Sequence, residues 1–243
     1  MTEPFHLRIE GVCPICERRT VYEADGPYFR NTLTCPTCPG GGSLPRERAV
    51  ALALNETRPN WRSLAIHECS PSTRGISPKL QLQCANYVAT NYFPEKPFGE
   101  IVLNLRNENL ERQTFADASF DIVITIDVFE HLFDPAAAAR EIHRTLKPGG
   151  VCISAFPVSK HQWEGLRWRA RLGADGTVEH LAPAEYHGNP ISPEGSLVTV
   201  DYGYDLHQLF AEWAPFDVRV LRFADRRAGV LGEFTDVVVC VRR

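Results

Sequence analysis

The stretch Phe120-Asp-Ile-Val-Ile-Thr-Ile126 runs directly into Asp127-Val-Phe-Glu-His131, and Asp134-Pro135 follows at once. Every residue of the first seven except the aspartate is β-branched or aromatic, and the run hardly alternates. That pattern marks a central strand buried on both faces. Asp134 and Pro135 supply an N-cap and a first-turn proline. The helix they start carries Ala139, Ile142 and Leu146 on one face and stops at Lys147-Pro-Gly-Gly150. Val151–Phe156 reads as the next strand. Upstream, Ser63–Glu68, Tyr87–Thr90 and, more weakly, Glu100–Leu103 read as strands, with a helix from about Gly75 to Ala85. Downstream, 216–223 and 233–241 read as an edge hairpin. Such alternation predicts an α/β fold, a parallel sheet with helices on both faces.

Composition narrows the class. The chain has 243 residues, 44% apolar and 23% charged, with a net charge of −4. A chain of this length buries roughly 70–75% of its unfolded surface and needs no disulfide framework. Its mild acidity argues against a protein held to nucleic acid by charge, and no membrane partner is expected. The longest apolar runs, such as Val237–Val241, fall far short of the ~20 residues a membrane span takes. No basic region followed by an apolar stretch opens the chain, so a cytoplasmic protein is expected.

Four of the eight cysteines form Cys13-Pro-Ile-Cys16 and Cys35-Pro-Thr-Cys38, two knuckles separated by eighteen residues. This is the spacing of a tetrahedral four-cysteine zinc site. Disulfides and a thioredoxin-like redox pair are the alternatives, the latter lacking a strand-then-helix pattern around either pair. The segment has too little apolar content for a core of its own, so zinc would supply its folding energy. It is expected to fold apart from the main sheet. It ends in Pro39-Gly-Gly-Gly-Ser43, read as a flexible break, and a helix follows over Pro45–Asn55. Short β-like pieces are expected at Thr20–Glu23 and Tyr28–Phe29. The expected division is 1–44, a zinc-ribbon-like segment, and 45–243, with an insertion at 157–204.

Phe115-Ala-Asp-Ala-Ser-Phe-Asp121, Glu130-His-Leu132 and Glu141-Ile-His-Arg-Thr-Leu-Lys-Pro-Gly-Gly150 together resemble the class I S-adenosylmethionine-dependent methyltransferases. With the CPIC/CPTC segment, Pro45–Ala49, Ile66–Pro71, Tyr186-His-Gly-Asn-Pro190 and Gly195–Thr199, the chain is similar to a bacterial subgroup carrying an N-terminal zinc-ribbon-like segment. The resemblance implies a Rossmann-like seven-stranded methyltransferase sheet whose last strand is antiparallel, with S-adenosylmethionine in its cleft. Two features depart from the family pattern. The glycine-rich loop after the first strand is reduced to Glu68, Ser70, Pro71, Arg74 and a single Gly75. The carboxylate that ends the second strand is replaced by Asn91 and Tyr92.

Ligands of open α/β sheets sit at the carboxyl ends of the strands. Glu68, Ser70, Pro71, Arg74, Gly75, Asn91 and Tyr92 are therefore the candidates for the methionine and ribose parts of the cofactor. The resemblance assigns Glu108, Asn109 and Leu110 to the adenine end, and brings Asp127 and Val128 to the cofactor. His131 is the candidate base that takes a proton from the acceptor, or else a helix-start residue that only packs. His187 would approach from the insertion, whose aromatic residues suit a lid over a small organic acceptor. Arg167, Arg169 and Arg171 meet an anionic group or form a solvated face. The expected function is methyl transfer to an oxygen or nitrogen of a small-molecule or sugar-like acceptor. The rivals are an RNA methyltransferase that uses the ribbon to hold RNA, and a non-catalytic binding module. Against RNA, residues 1–60 hold seven arginines, no lysine and seven acids, so there is no basic arm.

Overall fold

The computed structural model describes residues 5–159, 161–189 and 191–243. Met1–Pro4 and Pro190, the end of the Tyr186–Pro190 motif, lie outside the described residues. The N-terminal segment pairs β1 (Leu7–Val12) with β2 (Arg19–Ala24) as an antiparallel hairpin. Its first knuckle is the turn between them. Tyr28–Phe29 is no β-piece, because Leu33 N–H closes on the Phe29 carbonyl (3.1 Å) and makes a single helical turn, α1 (Phe29–Thr32).

The helix α2 (Pro45–Thr57) leads into β3 (Ile66–Cys69), α3 (Ile76–Gln83), β4 (Tyr87–Asn91), β5 (Ile101–Val102), β6 (Leu105–Asn107) and β7 (Phe120–Ile126). Then come α4 (Pro135–Thr145) and β8 (Leu146–Ala155). Six short strands follow: β9 (Leu166–Trp168), β10 (Ala170–Leu172), β11 (Val178–His180), β12 (Tyr186–Asn189), β13 (Ser192–Leu197) and β14 (Val200–Tyr202). The chain closes with α5 (Leu206–Trp213), β15 (Phe216–Leu221) and β16 (Val237–Arg242).

The main sheet has the order β15-β16-β8-β7-β3-β4-β6-β5. Its five consecutive strands β8, β7, β3, β4 and β6 are parallel. β16 runs antiparallel to both its neighbours, as expected of the last strand. The sheet has eight strands rather than seven because the weak strand at Glu100–Leu103 is a two-residue edge piece. Leu103 and Asn104 have φ of +52° and +63° and fold it back antiparallel onto β6, which is the parallel strand that sequence reading missed. Every residue of β3 is buried, and so are Ile122–Thr125 of β7. Two-sided burial is what a central parallel strand requires.

Asp134 caps α4 by accepting the Ala137 N–H at 2.8 Å, and Ala139, Ile142 and Leu146 are all buried. The Lys147–Gly150 turn belongs to β8, not to a connecting loop. There the β7–β8 register slips between Phe120 and Ile122, and a Cβ on Gly150 would lie 2.8 Å from the Lys147 carbonyl.

The N-terminal segment has no separate core. Ile9, Tyr22, Leu33 and Cys35 belong to one buried cluster with Ala49, Val50 and Leu54 of α2, Ile122 and Ile124 of β7, and Val237 of β16. Forty residues with so little apolar content have to borrow a core. Arg48 fastens the junction: fully buried, it donates to the Leu33 carbonyl (2.9 Å) and the Gly229 carbonyl (2.7 Å), with its guanidinium 4.7 Å from the Tyr22 ring centre. The Gly40–Gly42 run is packed rather than a flexible break. A Cβ on Gly40 would lie 2.1 Å from the Thr73 carbonyl, and Gly75 N–H donates to the Gly42 carbonyl at 3.1 Å. The N-terminal segment thus rests on the loop that follows β3. No described helix is long and apolar enough to cross a membrane.

Candidate functional site

A cavity of about 1320 Å³ opens at the carboxyl ends of β3, β4, β6 and β7. That exceeds the roughly 300–1,000 Å³ of ordinary ligand pockets and leaves room for a cofactor and an acceptor side by side. Of the candidate residues, Glu68, Ser70, Arg74, Asn91, Tyr92, Glu108, Asn109, Leu110, Asp127, Val128, His131 and His187 line it. Pro71 and Gly75 do not. Gly75, at φ +67°, starts α3, and a Cβ there would lie 2.3 Å from the Glu47 carboxylate, so packing explains the glycine.

The loop after β3 makes a left-handed turn at a serine. Ser70 has φ +56°, the left-handed region glycine favours, and its N–H donates to the Thr90 carbonyl at 2.7 Å. Holding a serine there costs on the order of 1 kcal/mol or more, and such strain gathers at ligand sites.

Glu68 lines the cavity with both carboxylate oxygens already held. Its Oε1 accepts from Ser77 Oγ and its Oε2 from Tyr87 OH, both at 2.6 Å. Burial pushes its carboxyl up from 4.5 to about 7. A carboxyl raised on folding contributes stability that is complete below its unfolded value and lost as pH rises through the folded one. Between pH 5 and 8 the protein should therefore lose up to roughly 3 kcal/mol through this group. Glu68→Gln should flatten that loss in urea-unfolding midpoints taken at the two pH values; an unchanged slope would exonerate Glu68.

Asn91 ends β4 with its Oδ1 accepting the Tyr92 N–H (2.8 Å) and its buried Nδ2 without a partner. Glu108 is spent on its own loop, accepting from Arg106 Nε (2.7 Å) and from Thr114 N–H (2.8 Å). This leaves Asn109 and the buried Leu110 as the ligand-facing members of that segment.

Two arginines absent from the candidates, Arg30 and Arg46, stand at the cavity wall. Asp127, at φ +53°, pairs with Arg30 of α1 and with Arg46 Nε of α2 at 2.6 Å. Arg30 also donates to the Phe234 carbonyl at 3.0 Å. The N-terminal segment therefore forms part of the cavity wall. Arg46 lies in the Pro45–Ala49 stretch, but no local pattern points to Arg30. Beyond β7, Glu130 is buried with both carboxylate oxygens unpartnered. His187 Nδ1 lies 3.5 Å from its Oε1 and His131 Nε2 lies 3.9 Å from it. The Glu130 carboxylate beside it holds the His187 imidazole above the usual histidine range. Arg167 and Arg169 both reach Asp201 and Arg171 pairs with Glu179, so all three are answered by acids of the insertion itself.

The four cysteines converge as their spacing predicts. Sγ atoms lie 3.5 Å apart for Cys13–Cys38 and 4.0 Å for Cys16–Cys35, with all four within 4.8 Å of one another. Four thiolates about 2.3 Å from one zinc ion stand ~3.8 Å apart, so the donor set fits.

Comparison with known proteins agrees with this strand order. Residues 76–154 match the family described as "Methyltransferase domain". The stretch from α3 to β8 thus matches a methyltransferase domain, and that family is one of enzymes. A crystal structure of an S-adenosylmethionine-dependent methyltransferase from Mesorhizobium loti superimposes with a TM-score of 0.51 at 15% identity, covering 80% of this chain and 98% of that one. A glycopeptide N-methyltransferase, MtfA, crystallised with S-adenosyl-L-homocysteine, gives 0.50 at 19% identity, covering 82% and 90%. A Mycolicibacterium smegmatis protein described as "Probable S-adenosylmethionine-dependent methyltransferase" is 40% identical over 55 residues. That match spans 23% of this chain and only 21% of the relative's length. The stretch that matches the family runs from α3 to β8 and so includes β7 and the turn to His131.

Proposed function

We propose that this protein transfers a methyl group from S-adenosylmethionine to an oxygen or nitrogen of a small-molecule or sugar-like acceptor. The observation that carries the reading is one cavity with two unlike ends. At the β4 end, the unpartnered Asn91 Nδ2 is a buried donor where a ribose hydroxyl can accept, with Asn109 and Leu110 beside it for the adenine. At the other end, Glu130, His131 and His187 form a polar cluster beneath the β9–β14 insertion. S-adenosylmethionine, when bound, supplies a sulfonium-activated methyl group. The chain's own part is to hold the acceptor in line, exclude water and take up its proton. That proton is taken by the Glu130–His131–His187 cluster.

One zinc ion held by Cys13, Cys16, Cys35 and Cys38 is proposed as a structural part of the same protein. Elemental analysis should find one per chain; a zinc-free protein with four freely reactive thiols would end this claim.

Calorimetric titration with S-adenosylhomocysteine tests the reading. One molecule should bind per chain, and Asn91→Leu should weaken it about tenfold, the worth of one buried hydrogen bond. Absence of binding, or an unchanged constant in the variant, would refute the placement. Asn91 is the cleaner probe than Glu68, whose carboxylate is already satisfied.

A further inference from the structure

Glu130 is the anomaly of the cavity wall. It sits on a single turn of 3₁₀ helix, Phe129–His131, locked from behind: Thr199 N–H donates to the Glu130 carbonyl (2.8 Å) and Tyr202 OH to the Phe129 carbonyl (3.0 Å). Its side chain is 3% exposed, yet neither carboxylate oxygen accepts a hydrogen bond. An ionised carboxylate left that way costs several kcal/mol, which a protein tolerates where something else neutralises it.

The two histidines are arranged to help. A carbonyl only accepts, so the 2.8 Å contact between His131 Nδ1 and the Leu197 carbonyl puts the proton on Nδ1 and leaves a lone pair on Nε2. His187 mirrors this: Nε2 lies 3.5 Å from Glu185 Oε1, and Nδ1 faces Glu130. In each ring one nitrogen is held by an acceptor and the other points to Glu130. This is the outer-shell pattern that orients metal-binding imidazoles. One donor atom from each of Glu130, His131 and His187 lies within 4.8 Å of the others. A first-row divalent ion ~2.0–2.2 Å from each would set them roughly 3.0–3.5 Å apart, a small rotamer shift from 3.5 and 3.9 Å.

We infer that Glu130, His131 and His187 form a second metal site, which binds one divalent transition ion with its open positions toward the acceptor end of the cavity. Two imidazoles and one carboxylate are the donor set of catalytic zinc and non-haem iron centres. The inference rests on the methyl-transfer reading for its purpose. An ion there would draw in a hydroxyl oxygen and make its proton easier to lose, which favours an oxygen acceptor, best one with a second oxygen beside it to chelate. A protonated amine would be repelled.

The test is titration of zinc-replete protein, its cysteine site filled, with Mn²⁺, the free ion being followed by electron paramagnetic resonance. One Mn²⁺ should bind per chain. Glu130→Gln and His187→Ala should each weaken it tenfold or more, and Glu185→Gln about tenfold through lost ring orientation. His180→Ala, on the exposed β10–β11 hairpin, should leave it unchanged. Glu130→Gln removes an uncompensated buried charge, so calorimetry should find its Tm equal or higher, which separates lost binding from lost folding. Failure of Mn²⁺, Co²⁺ and Zn²⁺ alike to bind beyond the cysteine site, or unaltered affinity in Glu130→Gln, overturns the inference. S-adenosylhomocysteine titrated into the same sample keeps the readings apart. Cofactor binding without ion binding overturns this site alone, whereas ion binding without cofactor binding overturns the methyl-transfer reading.

Discussion

Replacing Cys35 by serine is expected to lower the thermal midpoint of the whole protein by 10 °C or more and to weaken S-adenosylhomocysteine binding at least tenfold. Zinc binding to a four-cysteine site is folding energy, about 10–16 kcal/mol in isolated finger peptides. A ribbon standing apart would lose that energy alone and leave the sheet intact. Here Cys35 is buried in the same cluster as Leu54, Ile122 and Val237, so the loss reaches the sheet. Even 3–5 kcal/mol of it corresponds to roughly 10–15 °C for a chain of this size. The affinity falls for a second reason. Arg30 and Arg46 hold Asp127 at the cavity wall, and Gly42 supports the loop after β3 through Gly75. Scanning calorimetry and cofactor titration on the variant read both effects. An unchanged Tm with only the first forty residues open to protease would show that the segment is an independent appendage.

His131→Ala is expected to reduce turnover by about 10²–10⁴-fold while moving cofactor affinity less than about twofold. Whether the imidazole takes the acceptor's proton itself or holds an ion that loosens it, loss of the ring removes the same step. Its Nε2 faces Glu130, at the acceptor end of the cavity, and not Asn91. The pH–rate profile gives the sign. Activity needs unprotonated imidazoles, so the rate falls as pH drops. Because the neighbouring Glu130 carboxylate raises His187, the fall should begin above the ordinary histidine range. Glu130→Gln should shift that limb to lower pH. If His131→Ala keeps full turnover and His187→Ala abolishes it, proton removal belongs to His187 alone.

The sheet was legible because its signals are local. Phe120–Ile126 has a composition that only a doubly buried strand explains, and Asp134-Pro135 announces its own helix. The cysteine knuckles are legible for the same reason, since spacing alone brings their thiols together. Three features escaped. In the loop after β3, Ser70 adopts the left-handed backbone that glycine favours, a conformation no composition reveals. Glu100–Leu103 and Leu105–Asn107 are both short and partly exposed, and the choice of the parallel one depends on the turn at Leu103-Asn104. Arg30 matters through a partner 97 positions away, Asp127, and nothing in its own neighbourhood marks it; Glu130 stands in the Glu130-His-Leu132 motif, but its neighbour His187 lies 57 positions away and no local pattern joins the two.

The N-terminal hairpin leans on the far end of the chain: Val12 N–H donates to the Arg227 carbonyl, Tyr22 packs against Gly229, and Arg48 grips the Gly229 carbonyl. During synthesis these partners are about 180 to 215 residues apart in order of emergence. The cysteine knuckles are made long before Arg227 and Gly229, so the hairpin has nothing to dock on until that segment appears. Chain ends that meet this late make for slow, non-local assembly. A nascent chain stalled before residue 225 should therefore leave the hairpin undocked.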